Sequence, residues 1–127
     1  MSKLKENILI EKSVQFAARI IKLYQYLIKS KKEVVISKQI VRCGTSIGAN
    51  IYEANYGQSI ADFISNLHIA LKEAAETEYW LRLLCLSEYI DEKMAKSMLA
   101  DCLEIKRLLI ASINTAKTNS EMRGGQK

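Results

Sequence analysis

Few residues in this chain have types and spacings that invite a chemical reading. The glutamates Glu73 and Glu76 stand three apart with Glu78 beside them and Glu53 upstream. At helical spacing such carboxylates share a face and can hold a hard cation or organise an arginine, with Arg42 and Arg82 as partners, and the bland alternative is a solvated acidic face. The expectation is structural ion pairing and no metal centre. His68 is the sole histidine. A di-iron bundle needs a Glu-x-x-His pair from each of two helices, so that chemistry is excluded. Ser46 has no histidine at a readable position to activate it, and no glycine-rich phosphate loop follows a strand. Cys43, Cys85 and Cys102 are odd in number, far apart, and set inside apolar helical patterns, which reads as buried free thiols rather than a disulfide or metal framework. No catalytic residue, metal or cofactor is expected.

Two surface patterns rise above this background. Lys12, Arg19, Lys22 and Lys29 alternate with Gln15 and Tyr26, and Lys31, Lys32, Lys38 and Arg42 follow. Residues 1–56 hold ten Lys/Arg against four Asp/Glu, whereas residues 57–127 hold nine against ten, so the net charge of +5 belongs to the first half. A stripe of this kind attracts polyanions through counterion release, and an interleaved tyrosine can stack on an unpaired base; a plain solvated helix face has the same composition. Lys12, Arg19, Lys22, Tyr26, Lys29, Lys38 and Arg42 are the candidate contacts to RNA or DNA. The second pattern is an outward stripe, Asp62, Asn66, Ile69, Glu73, Glu76, Trp80 and Leu83. A monomer seldom leaves Ile69, Trp80 and Leu83 on one outer face, which marks them as a surface covered by a second copy. If the helical phase is off by one position, Trp80 is ordinary core instead.

These residues must be positioned by helices. The chain has no proline and only five glycines, two of them in Gly124-Gly125, so long segments carry no breaker. Between about Glu6 and Ser30, one apolar seam runs Ile10, Val14, Ala17, Ile21, Tyr24, Ile28 and another Leu9, Phe16, Ile20, Leu23, Leu27, with Ser13 filling a place in the second. Two seams predict two neighbours, as in a bundle. A second helix is expected over about Ile36 to Asn55, capped by Ser37, with Ile36, Ile40, Cys43, Ile47, Ile51 and Ala54 inward. Its stretch from Gly44 to Asn50 is poor in helix propensity. The apolar spacing continues through it, however, and small residues let another backbone approach Gly44 and Gly48 closely. Ser59 with Asp62 resembles a capping box and opens a third helix to about Ser87, with Ile60, Ile64, Leu67, Leu71, Ala74, Leu81 and Leu84 or Cys85 inward. Asp91 caps a fourth, with Met94, Met98, Cys102, Ile105, Leu109 and Ile113 inward, ending near Lys117. The fold class is all-α, an antiparallel up-down-up-down four-helix bundle over residues 1–117, followed by a disordered tail over 118–127. No stretch approaches the ~20 apolar residues of a membrane span, and the N-terminus lacks a signal-peptide pattern, so no membrane partner and a cytoplasmic location are expected.

The run from Ser37 to Ile51, SKQIVRCGTSIGANI, followed by Glu53-Ala54 and Gln58-Ser59, resembles the helix 2 signature of the four-helix bundle protein family, also called the 23S rRNA intervening-sequence protein family. The run from Ile69 to Leu81, IALKEAAETEYWL, fits its helix 3. The similarity extends from about Glu6 to Lys117. It implies a small bacterial protein, with some relatives encoded inside insertions in large-subunit rRNA genes, an up-down-up-down bundle, homopentameric assembly and no catalytic residues. Accessory variability proteins of diversity-generating retroelements are similar in fold and bind nucleic acid and a reverse transcriptase through a basic pentameric surface, a likeness that does not assign function. Many family members have two consecutive arginines before the small-residue stretch and Ala-Glu-Gly after it; this chain has Val41-Arg42 and Tyr52-Glu53-Ala54, so only Arg42 and Glu53 carry over. The expected function is therefore a non-enzymatic homo-oligomer that binds nucleic acid through its basic face. The alternatives are a structural or protein-partner module and, third, a small-molecule or metal-binding bundle using Glu53, Glu73 and Glu76.

Overall fold

Local signals start and stop the helices. Ser59 accepts the N–H of Asp62 at 3.1 Å, and Asp62 returns the bond to the N–H of Gln58, so the expected capping box is present in a shifted form. Asp91 accepts the N–H of Met94 at 2.8 Å, as expected of a cap. The second helix differs. Ser37 does not cap it; Glu33 does, its carboxylate accepting the N–H groups of Val35, Ile36 and Ser37 at 3.2, 3.1 and 2.7 Å. A longer side chain set further back reaches three orphan donors where a serine at the start would reach one. Lys32 turns through the left-handed region at φ 56°, which brings the Glu33 N–H back to the carbonyl of Leu27 at 3.0 Å and aims its carboxylate at the next helix.

The computed structural model describes the backbone of residues 3–125 and the side chains of residues 8–122. Four helices fill it: α1 (Lys3–Lys29), α2 (Ile36–Ala54), α3 (Ile60–Leu86) and α4 (Glu92–Gly125). They pack in cyclic order, α1 on α2, α2 on α3, α3 on α4, and α4 back on α1, the last seam being the thinnest. Gly44 of α2 lies against Ile20 of α1, and Gly48 against Ser13, so residue numbers rise along one helix as they fall along the other. The pairs Lys12–Glu104 and Arg19–Asp101 show the same sense for α1 and α4. With connectors only a few residues long elsewhere, the bundle is antiparallel throughout.

The expected inner positions of α2 hold: Ile40, Cys43, Ile47, Ile51 and Ala54 are buried, with Ile36 half-buried. In α3, Leu67, Ala74, Leu81 and Leu84 are buried, whereas Ile60, Ile64, Leu71 and Cys85 sit at the edge. In α4, Met98, Cys102, Ile105, Leu109 and Ile113 are buried, but Met94 faces out and Ala95 takes its place in the core. The larger correction concerns α1. Only the seam Leu9, Ser13, Phe16, Ile20, Leu23, Leu27 is buried, and it serves both neighbours. The other seam lies at the boundary, with Val14 58% and Ile21 44% exposed and Ile10, Ala17, Tyr24 and Ile28 half-buried. The reason is that α1 meets α4 through its Lys12 and Arg19 flank, leaving the second apolar flank uncovered by another helix among the described residues.

Gly44 and Gly48 are where α1 crosses α2, as the small-residue stretch predicted. A Cβ on Gly44 would sit 2.8 Å from Cγ2 of the fully buried Ile20, and one on Gly48 would sit 3.2 Å from Oγ of Ser13. The end of α4 is also corrected. Instead of stopping near Lys117 the helix continues to Gly125, because nothing between residues 118 and 123 breaks it, although its side chains from Lys117 to Met122 are exposed. Gln126 and Lys127 of the expected tail lie outside the described residues. Among the described residues no helix is long and apolar enough to cross a membrane.

Candidate nucleic-acid interface and assembly surface

The seven candidate contacts separate into three groups once the helices are packed. Lys12, Arg19 and Tyr26 step by seven along α1 and so occupy the single flank that faces α4. There Lys12 Nζ meets Glu104 Oε1 at 2.6 Å, and Arg19 donates to Asp101 Oδ2 at 2.6 Å and to Ser97 Oγ at 2.9 Å. The hydrogen bond raises the pKa of Lys12 and lowers that of Glu104. Arg42 lies on the far side, where α2 meets α3, donating to Glu76 Oε2 at 2.6 Å with Glu73 at 3.7 Å. Lys22, Lys29 and Lys38 make up the third group; they are exposed, and together with Lys31 and Lys32 they have no carboxylate within ion-pair distance among the described residues. The expected basic stripe is thus shortened. Its cations of undiminished charge gather toward the end of the bundle where α1 turns into α2.

The acidic residues behave as ion-pair partners. Glu76 accepts from Trp80 Nε1 at 3.0 Å as well as from Arg42, and these two bonds, the tryptophan's first, hold its carboxyl below the usual value. Glu78 is bridged by Lys106 at 2.7 Å and Arg82 at 3.0 Å, and is likewise depressed, Lys106 contributing most. Arg82 therefore serves Glu78 rather than Glu73 or Glu76, and Glu53 stands apart, exposed on α2. Among the described residues no group of three or more His, Cys, Asp or Glu gathers at metal-binding distance, and His68 is exposed on α3.

Of the candidate assembly residues, Ile69 is exposed, while Trp80 and Leu83 are half-buried. Trp80 is a shoulder: its ring packs on the core edge and on Tyr79 edge to face at 4.9 Å, and its N–H is tied to Glu76. The broader apolar surface is one that sequence periodicity assigned to the interior. On α1, Ile10, Val14, Ala17, Ile21 and Ile28 line the flank turned away from α4 and toward α2. On α2, Val41, Thr45, Gly48 and Tyr52 form one helical line, and Gly48 within it touches Ser13 of α1. The two lines therefore run side by side as a face of small, branched and aromatic side chains, and Val34 and Val35 are exposed at the turn between the helices. The signal that could have found it is the thinness of the Gly44–Gly48 crossing, which lets α2 ride close on one seam of α1 and leaves the other uncovered.

Comparison with known proteins places this geometry. A crystal structure from Bacteroides thetaiotaomicron, described as a protein of unknown function from the S23 ribosomal protein family, is similar at 55% sequence identity and a TM-score of 0.86, covering 87% of this chain and 98% of its own. No curated protein matches. The family described as 23S rRNA-intervening sequence protein matches residues 5–111, a span that takes in nearly all of α1, all of α2 and α3, and α4 as far as Ala111. The chain belongs to the 23S rRNA-intervening sequence protein family.

Proposed function

We propose that this protein is a non-enzymatic, self-assembling bundle that binds RNA or other nucleic acid through phosphate contacts. The observation that carries the reading is the division of labour on α1 and α2: among the described residues, one flank is an apolar face that no other helix covers, and the end of the same two helices holds Lys22, Lys29, Lys31, Lys32 and Lys38 without a carboxylate partner. Copies joined by the apolar face repeat the lysine cluster around a ring, and repetition raises both local field and avidity, so that weak contacts per subunit sum to useful binding. Five copies is the number the family resemblance implies. Ile69, Trp80 and Leu83 on α3 are the second apolar surface, as a head-to-tail ring requires two different faces on each subunit.

A specific observation favours a second reading, that of a scaffold or protein-partner module. Lys12, Arg19 and Arg42, three of the seven expected contacts, are neutralised by Glu104, Asp101 and Glu76. Two measurements separate the readings. Light scattering is expected to report an oligomer for the parent and a smaller species for Val14→Glu with Ile21→Glu; a monomeric parent refutes the assembly. Filter binding is expected to show affinity falling with salt at a log–log slope of roughly −0.7 per phosphate contact on single strands, shallower when Lys22, Lys29, Lys31, Lys32 and Lys38 become glutamine. Undiminished binding by that variant removes the lysine cluster from the interface, and no binding at low salt leaves the scaffold reading in its place.

A further inference from the structure

The flank of α1 that faces α4 holds a recess that phosphate attraction alone does not explain. Arg19, Lys22, Leu23 and Tyr26 with Met94 and Met98 enclose about 320 Å³ where the α1–α4 seam is thin. Around the end of the bundle lies a wider, open cavity of about 810 Å³ whose walls include Lys31, Glu88, Tyr89 and Glu92, and Tyr26 lines both spaces. Tyr26 is 38% exposed, with Lys31 Nζ 6.0 Å from its ring centroid. The floor is polarisable and apolar, since Met98 is buried and Met94 half covers it, and thioethers adapt to flat aromatic faces. Arg19 is engaged by Asp101 and Ser97 and forms one wall, whereas Lys22 has no carboxylate partner among the described residues. Asp91 is engaged in capping α4, while Glu88 and Glu92 are exposed and make no ion pair among the described residues.

We propose that this recess binds one unstacked base of a single-stranded nucleic acid, with the base lying on Tyr26 over Met94 and Met98 and the adjoining phosphates on Lys22 and Lys31. The inference rests on the nucleic-acid reading above and adds to it the form of the ligand. A duplex presents its base faces only to one another, so it satisfies the lysines and leaves Tyr26 and the methionines unused. Glu88 and Glu92 belong to the adjoining cavity, so a base edge that reaches past Tyr26 meets two carboxylates there, which favours a base with an exocyclic amino group as hydrogen-bond donor. Cytosine carries one and uracil does not. The site lies on the flank of α1 opposite the apolar α1–α2 face, so assembly through that face leaves it open.

The test is fluorescence anisotropy with end-labelled oligo(C), oligo(U) and a duplex of equal length at low salt. Oligo(C) is expected to bind best and the duplex worst. Tyr26→Ala should weaken oligo(C) by about five- to tenfold, the low end for one lost base–aromatic stack, while Tyr26→Phe, which keeps the ring, stays close to the parent. Glu88→Ala with Glu92→Ala should erase the difference between oligo(C) and oligo(U). Because Tyr26 is a surface side chain, unchanged melting of each variant is expected and serves as the folding control. If duplex and single strands bind alike and Tyr26→Ala matches the parent, or if Tyr26→Phe loses as much as Tyr26→Ala, the base site is overturned while phosphate binding stands. If none of the three probes binds, both fall.

Discussion

Glu33 sits in a connector whose sequence reads only as polar, yet it supplies three acceptor contacts to the start of α2 and is nearly enclosed. Single side chains of this kind are decided by contacts a few residues away. The cysteines differ from one another for a related reason. Burial pushes the thiol of Cys43 up to about 11 and that of Cys102 to about 12, while Cys85 is only half-buried at the rim of the open cavity. Cys43 also contacts Thr77 Oγ1 at 3.2 Å, and Cys102 donates to the carbonyl of Ala74 at 3.3 Å. Since the thiolate is the nucleophile, iodoacetamide at mildly alkaline pH is expected to modify Cys85 in the native protein and all three cysteines after denaturation, as intact mass will show. Native modification of Cys43 would mean that α2 opens locally. That these thiols are unpaired was legible from their number and spacing; which one meets solvent was not, because Leu84 and Cys85 are adjacent and a small rotation of α3 exchanges them.

At the scale of the element, the α1–α2 crossing follows from two missing side chains. In an exposed helix, Gly→Ala would gain up to ~1 kcal/mol of helix propensity. At position 44 the added methyl meets Ile20, which is fully buried and cannot move aside. Overpacking of that kind costs about 1–3 kcal/mol, so Gly44→Ala is expected to be destabilising on balance. Gly48→Ala needs Ser13 to give by only a few tenths of an ångström, and its two terms nearly cancel, whereas Gly48→Leu falls in the overpacked range. Urea melts that hold the m-value constant will rank the three, and a more stable leucine variant would contradict the close crossing. The sequence marked this crossing through its small residues. It misassigned the second apolar seam of α1, since period alone says that a face is apolar and cannot say whether a helix of the same chain covers it.

Over the whole molecule, the four seams are held in two ways. Ion pairs strap α2 to α3 through Arg42–Glu76, α3 to α4 through Lys106–Glu78, and α4 to α1 through Lys12–Glu104 and Arg19–Asp101. The α1–α2 seam relies on close packing at the glycines. Exposed pairs contribute little singly, about 0–1 kcal/mol, but those of Glu76 and Glu78 are partly shielded and each carboxylate has two partners. Their carboxyls are depressed below the ordinary 4.5, so their contribution is complete above that value and is lost as pH falls through the lower folded values. The melting temperature is expected to be level from neutral pH down to about 5 and to fall below it, with Glu78→Gln melting lower at neutral pH and showing a shallower acid slope. Circular dichroism melts across that range will measure it, and an acid slope in Glu78→Gln equal to the parent's would show that Glu78 is not among the groups responsible.

The sequence by itself determined the local structure: uninterrupted helices from the absence of proline, starts at Ser59 and Asp91 from their own side chains, and an inner face on each helix from apolar spacing. These depend on neighbours within a turn or two, and a sequence displays such neighbours directly. Only the tertiary structure decided which cations stay unpaired and which apolar face stays uncovered. Arg42 finds Glu76 across 34 positions and Arg19 finds Asp101 across 82, and both meetings depend on how each helix is rotated about its own axis against the next. That rotation is set by side-chain packing over the whole core at once, so the lysine-rich end and the α1–α2 face emerge only when the four helices are brought together.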